Sequence, residues 1–167
     1  MQFTLHNSYP WPADIVVQVF ADQDFFTEKY RRCGAENIRV LAYEHDGGTS
    51  HITVERQVRL AEIPAFARRI LPTTLTLVQS DDWDRNSRKG HIDIRLSGVP
   101  ARISCDMVLT DSDGGAEMSL DFQISVDVPL VGERLARLLA LDLKRKFRID
   151  SEQAAIVIAE LAPRYGG

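Results

Sequence analysis

The chain has 167 residues, 44% hydrophobic and 26% charged, with 20 basic against 24 acidic side chains and a net charge of −4. This is an ordinary soluble composition, long enough for one domain with its own core. A mildly acidic chain has no bulk attraction for phosphate backbones or anionic membranes, so nucleic acid is excluded as a first choice of partner.

In chain order, Gln2 to Tyr9 alternates, with Phe3, Leu5 and Tyr9 on one side, which predicts a strand. Pro10 and Pro12 break it. Ala13 to Phe20 has a helical stripe of Ile15, Val16, Val19 and Phe20. Asp22 suits the cap of a second helix running to about Cys33, with Gly34 as its stop and Phe25, Phe26 and Tyr30 as its apolar contacts.

Strand signals follow in series. Asn37 to His45 and His51 to Leu60 flank Asp46-Gly47-Gly48-Thr49-Ser50 and read as a hairpin. Pro64 to Leu71 reads as a helical turn, then Leu75 to Trp83 and His91 to Leu96 as strands. Arg102 to Thr110 and Ala116 to Val128 flank Asp111-Ser112-Asp113-Gly114-Gly115 as a second hairpin. In the last strand Ala116, Met118, Leu120, Phe122, Ile124, Val126 and Val128 share one face and polar residues the other, so this sheet has one covered side.

Strand, two helices, six strands and a long helix make an α+β order, not βαβ. The C-terminal helix is the one element long enough to cover the apolar side. About 30 residues at about 1.5 Å each span about 45 Å, enough to lie along the concave face of a curved sheet. Val131, Leu135, Leu138, Leu139, Leu143, Ile156, Val157 and Leu161 fall on one side of that helix. Asp142, Lys146, Asp150 and Gln153 fall in the same arc. Either the middle tilts to solvent as an i,i+4 ladder of Asp142, Lys146 and Asp150, or it faces a hollow in which these groups meet a ligand or water.

Four stretches, PAFARRIL at 64–71, LTLVQSDDW at 75–83, LSGVPARI at 96–103 and VDVPLVGERL at 126–135, are similar to an uncharacterised actinobacterial family within the START/SRPBCC superfamily. The element order over the whole chain, 1–167, resembles that superfamily's helix-grip fold, which includes birch-pollen-allergen-like proteins. The resemblance implies a curved antiparallel sheet of about seven strands wrapped on the long helix, and a cavity between them for lipids, polyketides, isoprenoids or other apolar molecules. It carries over no catalytic residues.

Arg56 shares a strand face with Ile52, Val54 and Val58. If that face is interior, the guanidinium needs a partner, and Glu44, on the face of Ile38, Val40 and Ala42, is the candidate across the hairpin. Arg56 is then an anchor for a carboxylate or phosphate; the plainer alternative has its head reaching water at the strand end. Tyr30, Trp83, Phe122 and Leu139 complete the candidate ligand-binding set with Glu44, Asp142 and Lys146. Gln79 and Asp81 share the Trp83 face, either inward or past the sheet's edge.

His45 and His51 flank the first hairpin loop without a third ligand at motif spacing. His91 shares a polar face with Asp93 and Arg95. No HExxH, CxxC pair, phosphate loop, dinucleotide fingerprint or GxSxG elbow is present, so no cofactor or metal is expected. Cys33 and Cys105 read as buried free thiols. With no apolar stretch of about 18 residues and no signal-peptide pattern, no membrane span is expected and the cytoplasm is the default location.

These observations favour a non-enzymatic carrier of an apolar small molecule. An enzyme of cyclase, dehydratase or hydrolase type would need two of Arg56, Glu44, Asp81, Asp142 and Lys146 in one hollow, one with a shifted pKa. An interaction module would need an exposed apolar patch. Leu41, Tyr43 and Val78 leave that reading, and a homodimer, open.

Overall fold

The computed structural model describes residues 1–167. Its strands are β1 (Gln2–Tyr9), β2 (Glu36–His45), β3 (Thr49–Arg59), β4 (Thr74–Asp84), β5 (Lys89–Leu96), β6 (Ala101–Ser112) and β7 (Gly115–Val126). The helices are α1 (Ala13–Phe20), α2 (Gln23–Arg32) and α3 (Gly132–Leu161), followed by a short 3₁₀ turn, Ala162–Tyr165. The strands form one antiparallel sheet in the order β1-β7-β6-β5-β4-β3-β2. The sheet is curved, and α3 packs on β7 and α2, as expected of the helix-grip order.

Alternation fixes which side is covered. In β7 every second residue from Ala116 to Ile124 is buried. The same period in β4 buries Leu75, Leu77, Gln79, Asp81 and Trp83. The β6–β7 hairpin closes through Asp113-Gly114, with Gly114 at φ +96°, a left-handed conformation that glycine adopts without a Cβ clash. No helix is long and apolar enough to cross a membrane.

Strand β2 departs from simple alternation. Its register with β3 shifts between Glu36 and Arg39 and again between Val40 and Ala42. A one-residue slip moves the following side chains to the other face. Val40 therefore opposes inward Val54, but past the second shift Tyr43 opposes inward Ile52, while Glu44 opposes outward His51. Glu44 therefore does not reach the interior, and since it stands opposite His51, five residues along β3 from Arg56, the expected Glu44–Arg56 partnership is not formed. Beside the loop His45 opposes Ser50, so His45 and His51 lie on opposite faces. His51 Nδ1 lies 2.7 Å from Asp82 Oδ1, and His91 Nδ1 makes the like contact with Asp106 at 2.7 Å. Cys105 is buried as expected, whereas Cys33 is exposed; both thiols are free.

Helix α3 is buried at its two ends, through Leu135, Ala136, Leu139 and Ala140, then through Ala154, Val157, Ile158 and Leu161. No residue between Ala140 and Ala154 is buried. Ile156, placed by periodicity on the inner side, is 46% exposed; Ala154 and Ile158 take the contact instead.

Asp22 joins the two ends of the chain. Its Oδ1 accepts from Asp24 N–H at 3.0 Å, capping α2, and its Oδ2 accepts from Arg164 at 2.9 Å and Tyr165 Oη at 2.8 Å. Asp22→Ala is expected to cost about 1–2 kcal/mol, a drop of a few degrees in melting temperature. A variant that melts with the wild type would show that this cap is not used.

Candidate functional site

The unburied middle of α3 spans a cavity of about 620 Å³ between the helix, α2 and the sheet. Most of its lining is apolar. Phe20, Phe25 and Trp83 close the deep end, with ring centroids 5.0 Å apart for Phe20–Phe25 and 5.3 Å for Phe20–Trp83. Gly90 lets Trp83 lie flat on β5, since a Cβ there would meet the indole at 2.7 Å. The rim residues Glu36, Arg59, Thr74 and Ile149 are exposed and place the opening beside the middle of α3.

Lys146 and Asp142 bridge that opening. Lys146 Nζ is 2.8 Å from Asp142 Oδ2 and donates to the Arg59 carbonyl at 2.6 Å. The backbone N–H of Ala61 donates to Asp142 Oδ1 at 3.4 Å. Half of the expected helix ladder therefore forms. Asp150 does not continue it: its Oδ1 lies 3.5 Å from Lys29 Nζ on α2. Asp142, Lys146 and Asp150 all line the cavity, so the polar interruption of α3 faces the hollow and its mouth.

A second polar group is built on the sheet. Arg56 opposes Leu77 and is the diagonal neighbour of Gln79, which opposes Val54. Arg56 Nη2 donates to Gln79 Oε1 at 2.9 Å, and Gln79 Nε2 donates to Asp81 Oδ1 at 2.8 Å. Arg56, Gln79 and Asp81 are 9%, 5% and 6% exposed. The guanidinium carbon sits 3.9 Å from the centroid of the Tyr30 ring, and Lys29 Nζ lies 5.0 Å from the same ring, a cation–π arrangement out of bulk water.

Burial sets the protonation of this group. It pushes the Asp81 carboxyl up to about 6, against the opposing pull of Lys29, the Gln79 hydrogen bond and Arg56. Burial pushes the Tyr30 phenol up to about 12. For Lys29 burial opposes the charge, but Asp150, Tyr30 and Asp81 outweigh it, so its ammonium is held more firmly than usual.

Of the residues expected from sequence, Arg56, Tyr30, Trp83, Phe122, Leu139, Asp142 and Lys146 all line this one cavity. Glu44 lies outside it, on the outer face. Sequence reasoning leaves Gln79 and Asp81 undecided and passes over Lys29. Lys29 carries a signal: it stands four residues after Phe25 and three after Phe26, on the buried side of α2. Asp150 lines the cavity as the second of its two sequence readings had it, but its partner is Lys29 rather than Lys146. No group of three or more His, Cys, Asp or Glu side chains is placed to hold a metal ion.

Several solved structures share this architecture. TTHA0849 from Thermus thermophilus is similar with a TM-score of 0.66 at 12% identity, over 96% of this chain and 98% of that one. Ara h 8.0201 gives 0.63 at 14%, over 96% and 98%. The Zhui aromatase/cyclase from Streptomyces sp. R1128 gives 0.61 at 16%, over 100% and 96%. At these identities the likeness shows the fold, which is the helix-grip fold that the sequence resemblance implied. In sequence, an uncharacterised protein of Mycobacterium tuberculosis, Rv0481c, is 22% identical over 159 residues, 89% of this chain and 91% of that protein. Residues 4–156 match the family DUF2505, and the chain belongs to it, a family of proteins of unknown function.

Proposed function

We propose that this protein binds and carries an apolar small molecule, of lipid, polyketide or isoprenoid type, between its sheet and α3. The observation that carries the reading is the cavity itself. Protein interiors are close-packed. This space opens beside the middle of α3, and its volume and mostly apolar wall match those of small-molecule sites. Native mass spectrometry of the purified chain, before and after organic extraction, tests the reading. We expect an added mass that extraction removes, or one regained when a lipid extract is supplied. A chain that stays bare under both conditions overturns it.

One observation favours a second reading, an enzyme of cyclase, dehydratase or hydrolase type. Arg56, Asp81, Asp142 and Lys146 line one hollow, and the Asp81 carboxyl is pushed up to about 6, near the working range of a general acid or base. Recovery of a chemically altered molecule after incubation with a candidate polyketide substrate, lost in Asp81→Asn, would move the assignment there.

A further inference from the structure

The polar end of the cavity contains two buried groups without a partner, Arg56 Nη1 and Tyr30 Oη. Arg56 is 9% exposed and Tyr30 3%, and both line the cavity. Buried donors are almost always paired, so two orphans in one place call for an explanation.

The charges beside them are not matched group by group. Lys29 has Asp150 within 3.5 Å. Arg56 has no carboxylate in contact. Its Nη2 donates to the neutral Gln79 Oε1, and only the far end of that amide reaches Asp81. The Tyr30 ring covers the face of the guanidinium at 3.9 Å, leaving the Nη1 edge free. A guanidinium donates and never accepts, and a phenol at neutral pH can donate. Two free donors on stacked groups therefore fit one oxygen acceptor, and an ionised acceptor makes the shorter and stronger bonds. An amine in the same place would meet Arg56 and Lys29, and an alcohol would bring no charge to Arg56.

We infer that the cavity takes an amphipathic acid, with its apolar body along the sheet and a carboxylate or other oxyanion against Arg56 Nη1 and Tyr30 Oη. This rests on the small-molecule reading above and narrows its ligand class.

Calorimetric titration of the full chain at pH 7.5, with probes below their micelle concentrations, separates the two. The probes are dodecanoate, dodecan-1-ol and dodecylamine, and 9-anthroate with 9-anthracenemethanol. Each acid is expected to bind at least tenfold tighter than its alcohol. Arg56→Met should remove that advantage and Tyr30→Phe reduce it severalfold, each by weakening the acid more than the alcohol. If Arg56→Met fails to fold, Tyr30→Phe decides alone, because the hydroxyl it deletes bonds to nothing in the protein. Equal affinities for acid and alcohol, or tighter binding of the amine, would mean that water satisfies these donors or that the anchor is misassigned. Either result overturns the acid but leaves the cavity reading standing. Failure of all five probes to bind overturns both.

Discussion

Gly115→Ala is expected to lower stability by about 3 kcal/mol or more, the upper end of what overpacking costs. For a chain of this length that is a fall in melting temperature on the order of 10 °C. Gly115 opens β7, and a Cβ there would lie 1.9 Å from the Tyr9 carbonyl oxygen and 2.9 Å from its carbon. The obstacle is backbone, so no rotamer change relieves it. Tyr9 is paired with Ala116 and followed by Pro10, so relief requires the end of β1 to part from β7. The Tyr9 side chain lines the cavity and packs on Phe20, 6.0 Å between ring centroids. The same strain should therefore disturb the deep end of the site. Gly114 next door is the control. It has φ +96° but nothing within 4 Å of a Cβ, so Gly114→Ala meets only backbone strain, about 1 kcal/mol. Urea unfolding of both variants checks the contrast. Equal midpoints, or a Gly115→Ala curve that overlays the wild type, would show that β1 and β7 can separate freely here.

The fold was legible because its signals were local. Alternation in Gln2–Tyr9 and in Ala116–Ile124, the Asp113-Gly114 turn and the Asp22 cap each fall within a few residues, and each element stands where its pattern put it. The site was legible where it followed the same period. Arg56 among Ile52 and Val54, and Asp81 between Leu77 and Trp83, are inward because their neighbours are. What failed was long-range or register-dependent. The shifts in β2 leave no mark in the residues around Val40 and Ala42, and they alone decide that Tyr43 points in and Glu44 out. The partner of Asp150 is Lys29, 121 positions earlier, and only the packing of α3 on α2 brings them together. Arg56 meets Gln79 rather than Glu44 for a reason of position along the strands: Glu44 stands opposite His51, five residues along β3 from Arg56, whereas Gln79 on β4 is its diagonal neighbour.

Asp81→Asn is expected to stabilise the protein at pH 7.5 and to leave it unchanged near pH 4. The unfolded chain releases this proton near the ordinary 3.8, and the folded chain near 6. Between those values the folded state binds more protons, so stability is greatest at low pH and falls as pH rises, with the loss complete above about pH 6 to 7. A difference of that size corresponds to about 3 kcal/mol. Asparagine has the same shape, can still accept from Gln79 Nε2, and carries no charge to bury. Its melting temperature should exceed that of the wild type by on the order of 5–10 °C at pH 7.5, with the gap closing as pH is lowered. A variant less stable than the wild type at both pH values would mean that Lys29 and Arg56 outweigh burial and that the ionised carboxylate holds the site together. The expected sign has a functional side. A buried anion that costs stability is retained by a site rather than by a fold, and removing it leaves Arg56 with a stronger field. The same variant should then bind dodecanoate more tightly at pH 7.5 and dodecan-1-ol no differently, because only the charged probe senses the carboxylate behind Gln79.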